Sequence, residues 1–402
     1  MPSCFPVAPA PTPRESGLGW VLKLSEANFL SFPWLLFKLA RIGQTGITSP
    51  AFQPSVFAPW TGFDSVTLGK LSYTNKKKGK LYCQFRKQEI RAGDLALRHP
   101  KICPQCIVER GTIDALWDIN LVTTCPTHGR GLVDRCPHRG NLLSWFRPGV
   151  LICRCGAPLD SASGEERSPS VVDLHKKLEQ IAFAKMSICN EQQVAVDLGP
   201  LRGASLLFLL RFILALGTYR IFGQARSQGS FDDGCSQVVA TAAEILSDWP
   251  NAFHQLLSSL AKRPVYSNQT RTSVLSSLDD FMLSLYGSSN DTSQCHEVYL
   301  EIQRFLASDG YVDPRIARKL PEAEVKPRWV TLSVAAEFLG IDRRTLEKML
   351  ERDIIPHRLH KHGRTRESHL VLVDDLNTDF FKPTLLLDVR KAAAYASVVH
   401  HK

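Results

Sequence analysis

The sequence contains no apolar run long enough to cross a membrane. Its longest, Leu206–Leu216, is interrupted by Arg211, whereas a membrane-spanning helix needs roughly 18 or more consecutive apolar residues. The N-terminus also lacks the charged start and continuous apolar segment of a secretory signal, and its five prolines within residues 1–13 indicate a flexible, extended tail over residues 1–16. We therefore expect a cytoplasmic protein with no membrane partner.

The common sequence signatures of catalysis are absent as well. There is no G-x-x-x-x-G-K-[ST] phosphate-binding loop, no H-E-x-x-H metalloprotease helix and no G-x-S-x-G nucleophile turn. The aspartates and glutamates are scattered, and their spacing does not single out the carboxylate triad of a metal-dependent nuclease or transposase. The sequence thus predicts a protein that is not an enzyme.

What the sequence does have is length and positive charge. A chain of 402 residues exceeds the roughly 250–300 residues that one hydrophobic core supports, so we expect about two to four compact units. Its 44% hydrophobic and 22% charged content is that of an ordinary folded protein. The formal charge of +10 favours a polyanionic partner, because basic side chains displace counterions from phosphates. Nucleic acid is the first candidate, ahead of an acidic protein or a membrane surface.

Hydrophobic periodicity predicts a mainly α fold with a small β component. We expect a helical unit with a basic loop over residues 17–97, a cysteine-rich domain over 98–160, a helical domain over 171–320, a helix-turn-helix domain over 328–382 and a tail over 383–402. The basic loop either contacts phosphate or forms a solvated turn; it carries Lys76, Lys77, Lys78 and Lys80. Apolar residues recur at helical steps in Val171–Phe183, Leu206–Leu216, Val238–Leu246, Phe253–Leu260, Val274–Leu285 and Val298–Phe305.

Six of the eleven cysteines fall between Cys103 and Cys155, in close pairs that are typical of metal binding in a reducing compartment. The first set is Cys103-Pro-Gln-Cys106 and, 18 intervening residues later, Cys125-Pro-Thr-His128. Two such knuckles supply four ligands that can converge tetrahedrally on zinc. Because four protein ligands leave no position for an activated water, this metal is expected to hold the fold rather than to catalyse.

The second set, Cys136-Pro-His138 followed by Cys153-Arg-Cys155, is less regular. A usual ribbon carries a cysteine at position 139, where this chain has Arg139, whose guanidinium stays protonated and does not bind metal. Two interpretations remain open. Either Cys136, His138, Cys153 and Cys155 form a second zinc site, or this is a degenerate knuckle without metal.

The residues between and after the knuckles are rich in apolar side chains. We expect them to form the small core that a zinc ribbon needs beyond its metal, with both tryptophans packed inside rather than stacked on nucleic-acid bases. They are Leu116, Trp117, Ile119, Leu121, Val122, Leu132, Val133, Leu142, Leu143 and Trp145.

The segment Thr331–Leu350 has the pattern of a helix-turn-helix. Ser333 can cap a first helix, Gly340 permits a sharp turn and Asp342 can cap a second helix. The apolar residues of both helices face inward, which leaves polar residues on the N-terminal part of the second helix, where a recognition helix meets the major groove of DNA. We predict DNA contacts by Arg343, Arg344, Thr345 and Lys348.

The residues that follow resemble the wing of excisionase-like winged domains. Gly363 would turn a hairpin whose basic residues lie along a phosphate backbone. The alternative is a degenerate module that serves protein contact or dimerisation. The predicted wing contacts are Arg358, Lys361, Arg364 and Arg366.

The cysteine-rich region and its flanks resemble the TniQ family in the order and spacing of their motifs, over most of Glu15–Leu260. In the cysteine-rich region the matching stretches are Arg98–Cys106, Trp117, Cys125–Gly129, Leu132, Cys136-Pro137 and Cys153–Gly156. Outside it, similar positions are Glu15-Ser16, Trp20, Leu22, Leu24, Asp248-Trp249-Pro250 and Phe253. The sequence departs from the family pattern at Gly19, Lys23 and Arg139.

The resemblance implies a zinc-stabilised accessory protein of a bacterial transposition machinery, which selects or marks a DNA target for the transposition ATPase and the transposase. Relatives either bind a DNA site directly or couple to an RNA-guided CRISPR effector complex, and they commonly form homodimers. Two other interpretations stay open: a stand-alone zinc-containing transcriptional regulator, and an interaction scaffold that touches DNA weakly.

Overall fold

A computed structural model describes residues 5–73, 82–186, 197–226, 235–261, 276–286, 295–308, 329–352, 354–355, 357–362 and 366–372. The chain divides into two compact units. The first unit comprises residues 1–256 and 280–296, and the second comprises 257–279 and 297–402. The N-terminal helices and the cysteine-rich region, which we predicted as separate domains, thus lie in one unit.

The N-terminal part of the first unit is built from short helices around one long buried helix. Ser16 caps that helix, since its Oγ accepts a hydrogen bond from the backbone N–H of Gly19 at 3.4 Å. Trp20 and Leu24 on it are completely buried. The helices are α1 (Gly17–Ala27), α2 (Trp34–Leu39), α3 (Gln44–Ile47), α4 (Ala58–Thr61) and α5 (Ser65–Gly69).

The proline-rich segment differs from the predicted flexible tail. Where it is described, from residue 5 onward, it packs on α1: Trp20 Nε1 donates to the Pro9 carbonyl at 2.9 Å, and Asn28 Nδ2 donates to the Val7 carbonyl at 2.6 Å. An extended proline-rich chain makes no internal hydrogen bonds, so its carbonyls are free to accept from neighbouring side chains. The local composition could not reveal that such donors lie close by.

A β-hairpin that the sequence did not predict follows the short helices. Strand β1 (Tyr82–Phe85) pairs with β2 (Gln88–Arg91) in antiparallel register. The two turn residues, Arg86 and Lys87, have positive φ angles of 46° and 67°, as a two-residue hairpin turn requires. The usual Asn-Gly or Asp-Gly signal is missing from Arg86-Lys87, which is why the hairpin escaped prediction. The predicted basic loop Lys76–Lys80 lies outside the described residues.

The cysteine-rich region contains α6 (Pro104–Arg110) and a core that confirms most of the prediction. Trp117 and Trp145 are each only 2% exposed, and Trp145 Nε1 donates to the Leu97 carbonyl at 2.8 Å. The prediction fails for three of the ten residues: Leu132 and Val133 are only half-buried, and Leu142 has 42% of its surface exposed. In place of the expected short strands, the described part of this region has isolated backbone pairings such as Ile102 with Val133.

The polar segment 161–170, predicted as a linker, instead pairs with the cysteine-rich region. The backbone N–H of Gly131 donates to the Glu165 carbonyl at 2.8 Å, and that of Arg167 donates to the Gly129 carbonyl at 3.0 Å. These bonds fix the start of the next helix, α7 (Pro169–Phe183), against the second knuckle.

All six predicted helices of the central region are confirmed. Five of them extend beyond the predicted apolar stretch, whereas the one predicted over Val274–Leu285 is described over Ser276–Tyr286. Besides α7 they are α8 (Leu206–Phe222), α9 (Ser236–Ser247), α10 (Asn251–Ala261), α11 (Ser276–Tyr286) and α12 (His296–Ser308). Helices α8 and α9 pack closely at Gly217, where an added Cβ would lie 2.3 Å from the Val238 carbonyl oxygen. Among the described helices, none combines the length and apolarity that crossing a bilayer requires.

The C-terminal part of the second unit combines two helices with a small sheet. Its elements are β3 (Trp329–Thr331), α13 (Leu332–Leu339), α14 (Arg343–Glu351), β4 (His357–His362) and β5 (Arg366–Leu372), with the antiparallel strand order β3-β5-β4. Ala335, Leu346, Leu350 and Val371 form its core. Ser333 lies inside the first turn of α13 rather than at its cap, which corrects the predicted boundary.

Candidate metal centres and a basic helix

Two knuckles bring the first predicted ligand set together. Cys103 immediately precedes α6, and Cys106 lies in its first turn. Pro104 occupies the first helical position, where a missing N–H costs no hydrogen bond. Cys125 and His128 approach from the second knuckle, so that one ligand atom from each of the four residues lies within 4.8 Å of the others.

The distances fit a tetrahedral zinc ion. The Cys106 and Cys125 sulfurs are 3.5 Å apart, and His128 Nδ1 lies 3.5 Å from Cys103 Sγ, 3.2 Å from Cys106 Sγ and 3.5 Å from Cys125 Sγ. Bond lengths of about 2.3 Å to sulfur and about 2.0–2.1 Å to nitrogen place tetrahedral sulfurs about 3.8 Å apart and sulfur about 3.5 Å from nitrogen. The donor set therefore fits Zn²⁺ with four protein ligands.

The surroundings favour the metal-binding form of one of the three thiols. Hydrogen bonds from Cys103 and Cys106 lower the pKa of the Cys125 thiol, and the backbone N–H of His128 also donates to Cys125 Sγ at 3.4 Å. Hydrogen bonding to neighbouring thiols and burial raise the pKa of Cys103 and of Cys106. A thiolate is the form of cysteine that binds metal, so among these ligands the surroundings favour ionisation of Cys125.

Glu109 completes this site, and we did not identify it from the sequence. Its Oε1 lies 2.9 Å from His128 Nε2. Since Nδ1 faces the sulfurs, Nε2 carries the proton and donates it to the carboxylate, which orients the ring for metal binding. The signal was present as C-x-x-C-x-x-E, because three residues along α6 bring Glu109 to the same side of the helix as Cys106.

Lys101 is a second group that sequence reasoning missed. Its Nζ donates to the carbonyls of Ile119, Asn120 and Val122 at 2.8, 3.0 and 2.6 Å. Burial lowers the pKa of Lys101 to about 8. These three hydrogen bonds hold the backbone of residues 119–122, which precede Cys125.

A buried polar network joins the N-terminal segment to the same region. Ser16 Oγ and the Tyr73 hydroxyl both donate to Asp118 Oδ2, at 2.6 and 2.5 Å. Burial raises the pKa of Asp118 to about 6. Glu15, the neighbour of Ser16, forms an ion pair with Lys23, in which its Oε1 lies 2.6 Å from Lys23 Nζ. The Glu15-Ser16 motif therefore has a structural role: it attaches α1 to the metal-binding region.

The second cluster contains three cysteines. Cys136, Cys153 and Cys155 place their sulfurs within 4.8 Å of one another, with Cys136 and Cys155 3.6 Å apart. Desolvation opposes ionisation of Cys136, but backbone hydrogen bonds from Arg139 and His138, together with the neighbouring thiols, lower its pKa to about 7. This group also has the donor chemistry to hold a metal ion.

His138 does not join these cysteines, contrary to the predicted Cys₃His set. Its side chain is exposed to solvent, and the described cluster contains only the three sulfur ligands. In the knuckle that begins at Cys125, the next ligand is three residues on, at His128. The corresponding position after Cys136 is Arg139, and His138 contributes its backbone N–H, rather than its ring, to Cys136.

Helix α14 presents the predicted DNA-contacting residues on its exposed side. Asp342 caps it, since Oδ1 accepts from the Thr345 backbone N–H at 2.9 Å. Arg344 and Lys348 are exposed, and Arg343, with 64% of its side chain exposed, pairs with Glu347 at 2.9 Å. The Thr345 hydroxyl donates to Asp342, so it serves the cap.

The predicted wing residues lie on or between two paired strands. Arg358 and Lys361 belong to β4, opposite Leu370 and Glu367, and Arg366 begins β5 opposite His362. Gly363 and Arg364 lie outside the described residues.

The fold is mainly helical, and its first cysteine and histidine cluster could hold a metal ion, which is consistent with a zinc-ribbon domain. A family model described as TniQ matches residues 6–132, which contain the whole first cluster and end before the second. The match supports placing this part of the chain in the TniQ family and implies an association with transposition. No curated protein matches the chain.

Proposed function

We propose that the protein is a non-enzymatic transposition accessory factor that selects or marks a DNA target site and links it to the transposition ATPase and the transposase. The observation that carries the proposal is the TniQ match over residues 6–132, which includes a four-ligand cluster suited to Zn²⁺. Such a closed ligand set shapes a rigid body and leaves no coordination position for an activated water.

The C-terminal module supplies the DNA-binding part of the proposal. Its element order β3-α13-α14-β4-β5 supports the proposal of a winged helix-turn-helix, in which α14 would be the recognition helix and the β4–β5 hairpin the wing. Leu346, Met349 and Leu350 face its core, which directs Arg344 and Lys348 outward. Contacts to phosphate would supply most of the affinity and the salt dependence.

DNA binding is tested by reversing one charge on α14. We expect Arg344→Glu to weaken duplex binding and to reduce the slope of log K against log[salt] by about 0.9 for each phosphate contact that is lost. The matched control is Arg352→Glu, which reverses an exposed arginine that follows the last residue of the same helix. An equal loss in both variants, or no loss in either, would argue that α14 does not face DNA and that the module serves protein contact.

The role in transposition is tested by deleting the gene in an insertion assay. Loss of targeted insertion, with transposase and ATPase intact, is the expected result. Copurification with an RNA-guided CRISPR effector complex would assign the guided mode, and site-specific binding by the protein alone would assign the direct mode. Sequence-specific DNA binding that alters transcription and leaves insertion unchanged would select the alternative function, a stand-alone zinc-containing regulator.

Self-association forms part of the same proposal. A homodimer would present two copies of α14 to DNA, and dimeric helix-turn-helix proteins bind half-sites about one helical turn apart. Light scattering of the metal-loaded full chain should give twice the chain mass.

A further inference from the structure

A groove in the first unit is lined by positively charged side chains and by none of the residues of the two metal clusters. It has a volume of about 400 Å³ and lies between β2, α8 and the last turns of α11. Arg91, Arg211 and Arg226 line it, together with the single carboxylate of Asp94. The lining residues therefore carry a net charge of +2, from three guanidinium groups and one carboxylate. We call this feature the arginine groove.

Arg211 is held there with part of its hydrogen-bonding capacity unused. Its Nε is buried without a hydrogen-bond partner, and its Nη1 reaches the Leu285 carbonyl only at 3.5 Å. Desolvation and then repulsion from Arg91 lower its pKa, and they outweigh the opposing attraction of Asp94 and of Tyr82, whose side chain hydrogen-bonds the guanidinium. A buried charged donor without an acceptor is unfavourable, and a nearby guanidinium adds to the cost. An anion in the groove would relieve both.

The remaining arginines leave room for such a ligand. The backbone N–H of Arg91 donates to Asp94 Oδ2 at 2.9 Å, so that carboxylate caps the turn after β2. Arg91 itself is exposed. The Arg226 guanidinium lies 4.0 Å from the centre of the Phe222 ring, a stacking contact that leaves its edge open to a carboxylate.

The walls of the groove indicate which anion fits. Leu214, Ala215 and Leu283 contribute apolar surface, and Leu283 is 53% exposed. The phosphates of a DNA duplex lie on a convex, hydrophilic backbone, which has no apolar surface to bury against the concave wall of the groove. A carboxylate side chain next to an apolar side chain satisfies both surfaces, because arginine pairs with carboxylates in a two-pronged geometry.

We propose that the arginine groove is a docking site for an acidic segment of a partner protein, with a carboxylate between Arg91 and Arg211 and an apolar neighbour against Leu283. The inference does not depend on the DNA-binding role of α14. It adds a protein-binding surface in the first unit, which an adaptor between a DNA target and other proteins would need.

The test measures fluorescence anisotropy of a labelled peptide of alternating aspartate and leucine with the full-length, metal-loaded protein. We expect Arg91→Gln to weaken peptide binding about fivefold to tenfold, as for one partly exposed charge-assisted hydrogen bond. The matched control is Arg220→Gln, which removes an exposed arginine of α8 that does not line the groove. A peptide of alternating asparagine and leucine should bind at least about tenfold more weakly than the acidic one.

A second variant keeps the test independent of the arginines. Leu283→Asp places a negative charge on the exposed rim and should abolish peptide binding while circular dichroism and melting stay unchanged. Equal binding by wild type, Arg91→Gln and Leu283→Asp would overturn the proposal. Loss of duplex DNA binding in Arg91→Gln, with no peptide binding by the wild type, would overturn it in favour of a nucleic-acid site. Arg344→Glu should leave peptide binding intact, so failure of the DNA proposal is distinguishable.

Discussion

Replacing Glu109 should weaken the first metal cluster without removing any metal ligand. The carboxylate accepts the Nε2–H of His128 at 2.9 Å, and so holds the ring with Nδ1 toward the three sulfurs. Loss of such an outer partner commonly reduces metal affinity by about 10–100-fold. Because 54% of the Glu109 side chain is exposed, water can replace it, and we expect the lower end of this range for Glu109→Ala: about tenfold, or about 1.4 kcal/mol.

A glutamine at the same position separates orientation from charge. Its side-chain oxygen still accepts the Nε2–H, so the ring keeps its orientation and only the ionic part of the interaction is lost. Since hydrogen bonds to charged groups are roughly twice as strong as neutral ones, Glu109→Gln should weaken zinc binding by about threefold, between wild type and Glu109→Ala.

The assay is competition with a chromophoric zinc chelator, monitored by absorbance. All proteins carry Cys136→Ser so that the second cluster does not contribute. Glu165→Gln is the control, because Glu165 is 86% exposed and pairs with Arg167 rather than with His128. If Glu109→Ala released zinc at the same chelator concentration as Glu165→Gln, the carboxylate would have no part in holding His128 for metal binding.

Three further outcomes follow from the same structure. Burial lowers the pKa of His175 to about 4, below its unfolded value of about 6.5. The neutral ring therefore stabilises the fold above the unfolded pKa, and this contribution is lost as pH falls. By linkage, the free energy of unfolding measured with urea should fall by about 2 kcal/mol less for His175→Gln than for wild type between pH 7.5 and 5. Gly217→Ala should lower the melting temperature through overpacking that costs about 1–3 kcal/mol, because its Cβ would meet the Val238 carbonyl, whereas Gly69→Ala, with nothing within 4 Å, should not. Zinc chelation should speed amide hydrogen exchange across the cysteine-rich region and leave α13 and α14 unchanged, and equal effects in both regions would contradict a local structural role for the metal.

The pH dependence due to His175 must be separated from metal loss, because acid also displaces zinc from thiolates. Metal loss affects wild type and His175→Gln alike, so the difference between their unfolding free energies isolates the histidine. His175 Nε2 accepts from the Thr123 backbone N–H at 3.1 Å, and a glutamine oxygen can replace that acceptor. A wild-type and variant difference that stays constant with pH would show that His175 is not held neutral.

Much of the candidate site could be predicted because its information is local. The spacings of Cys103, Cys106, Cys125 and His128 are set by two knuckles, in which covalent geometry decides where each ligand points. The helices of the central region were equally predictable, because a repeat of three and four residues specifies one buried face. The cap of α14 by Asp342 follows from the same local chemistry.

The sequence by itself determined which residues could hold a metal and where the long helices run, since both depend on neighbours a few positions away. Only the tertiary structure decided that the proline-rich segment packs on α1, that His138 points away from Cys136, and that Glu109 supports His128. It also placed Arg91 next to Arg211 and Arg226, which come much later in the chain, around one groove. Those results depend on where distant backbone segments meet, and a spacing rule carries no information about such contacts.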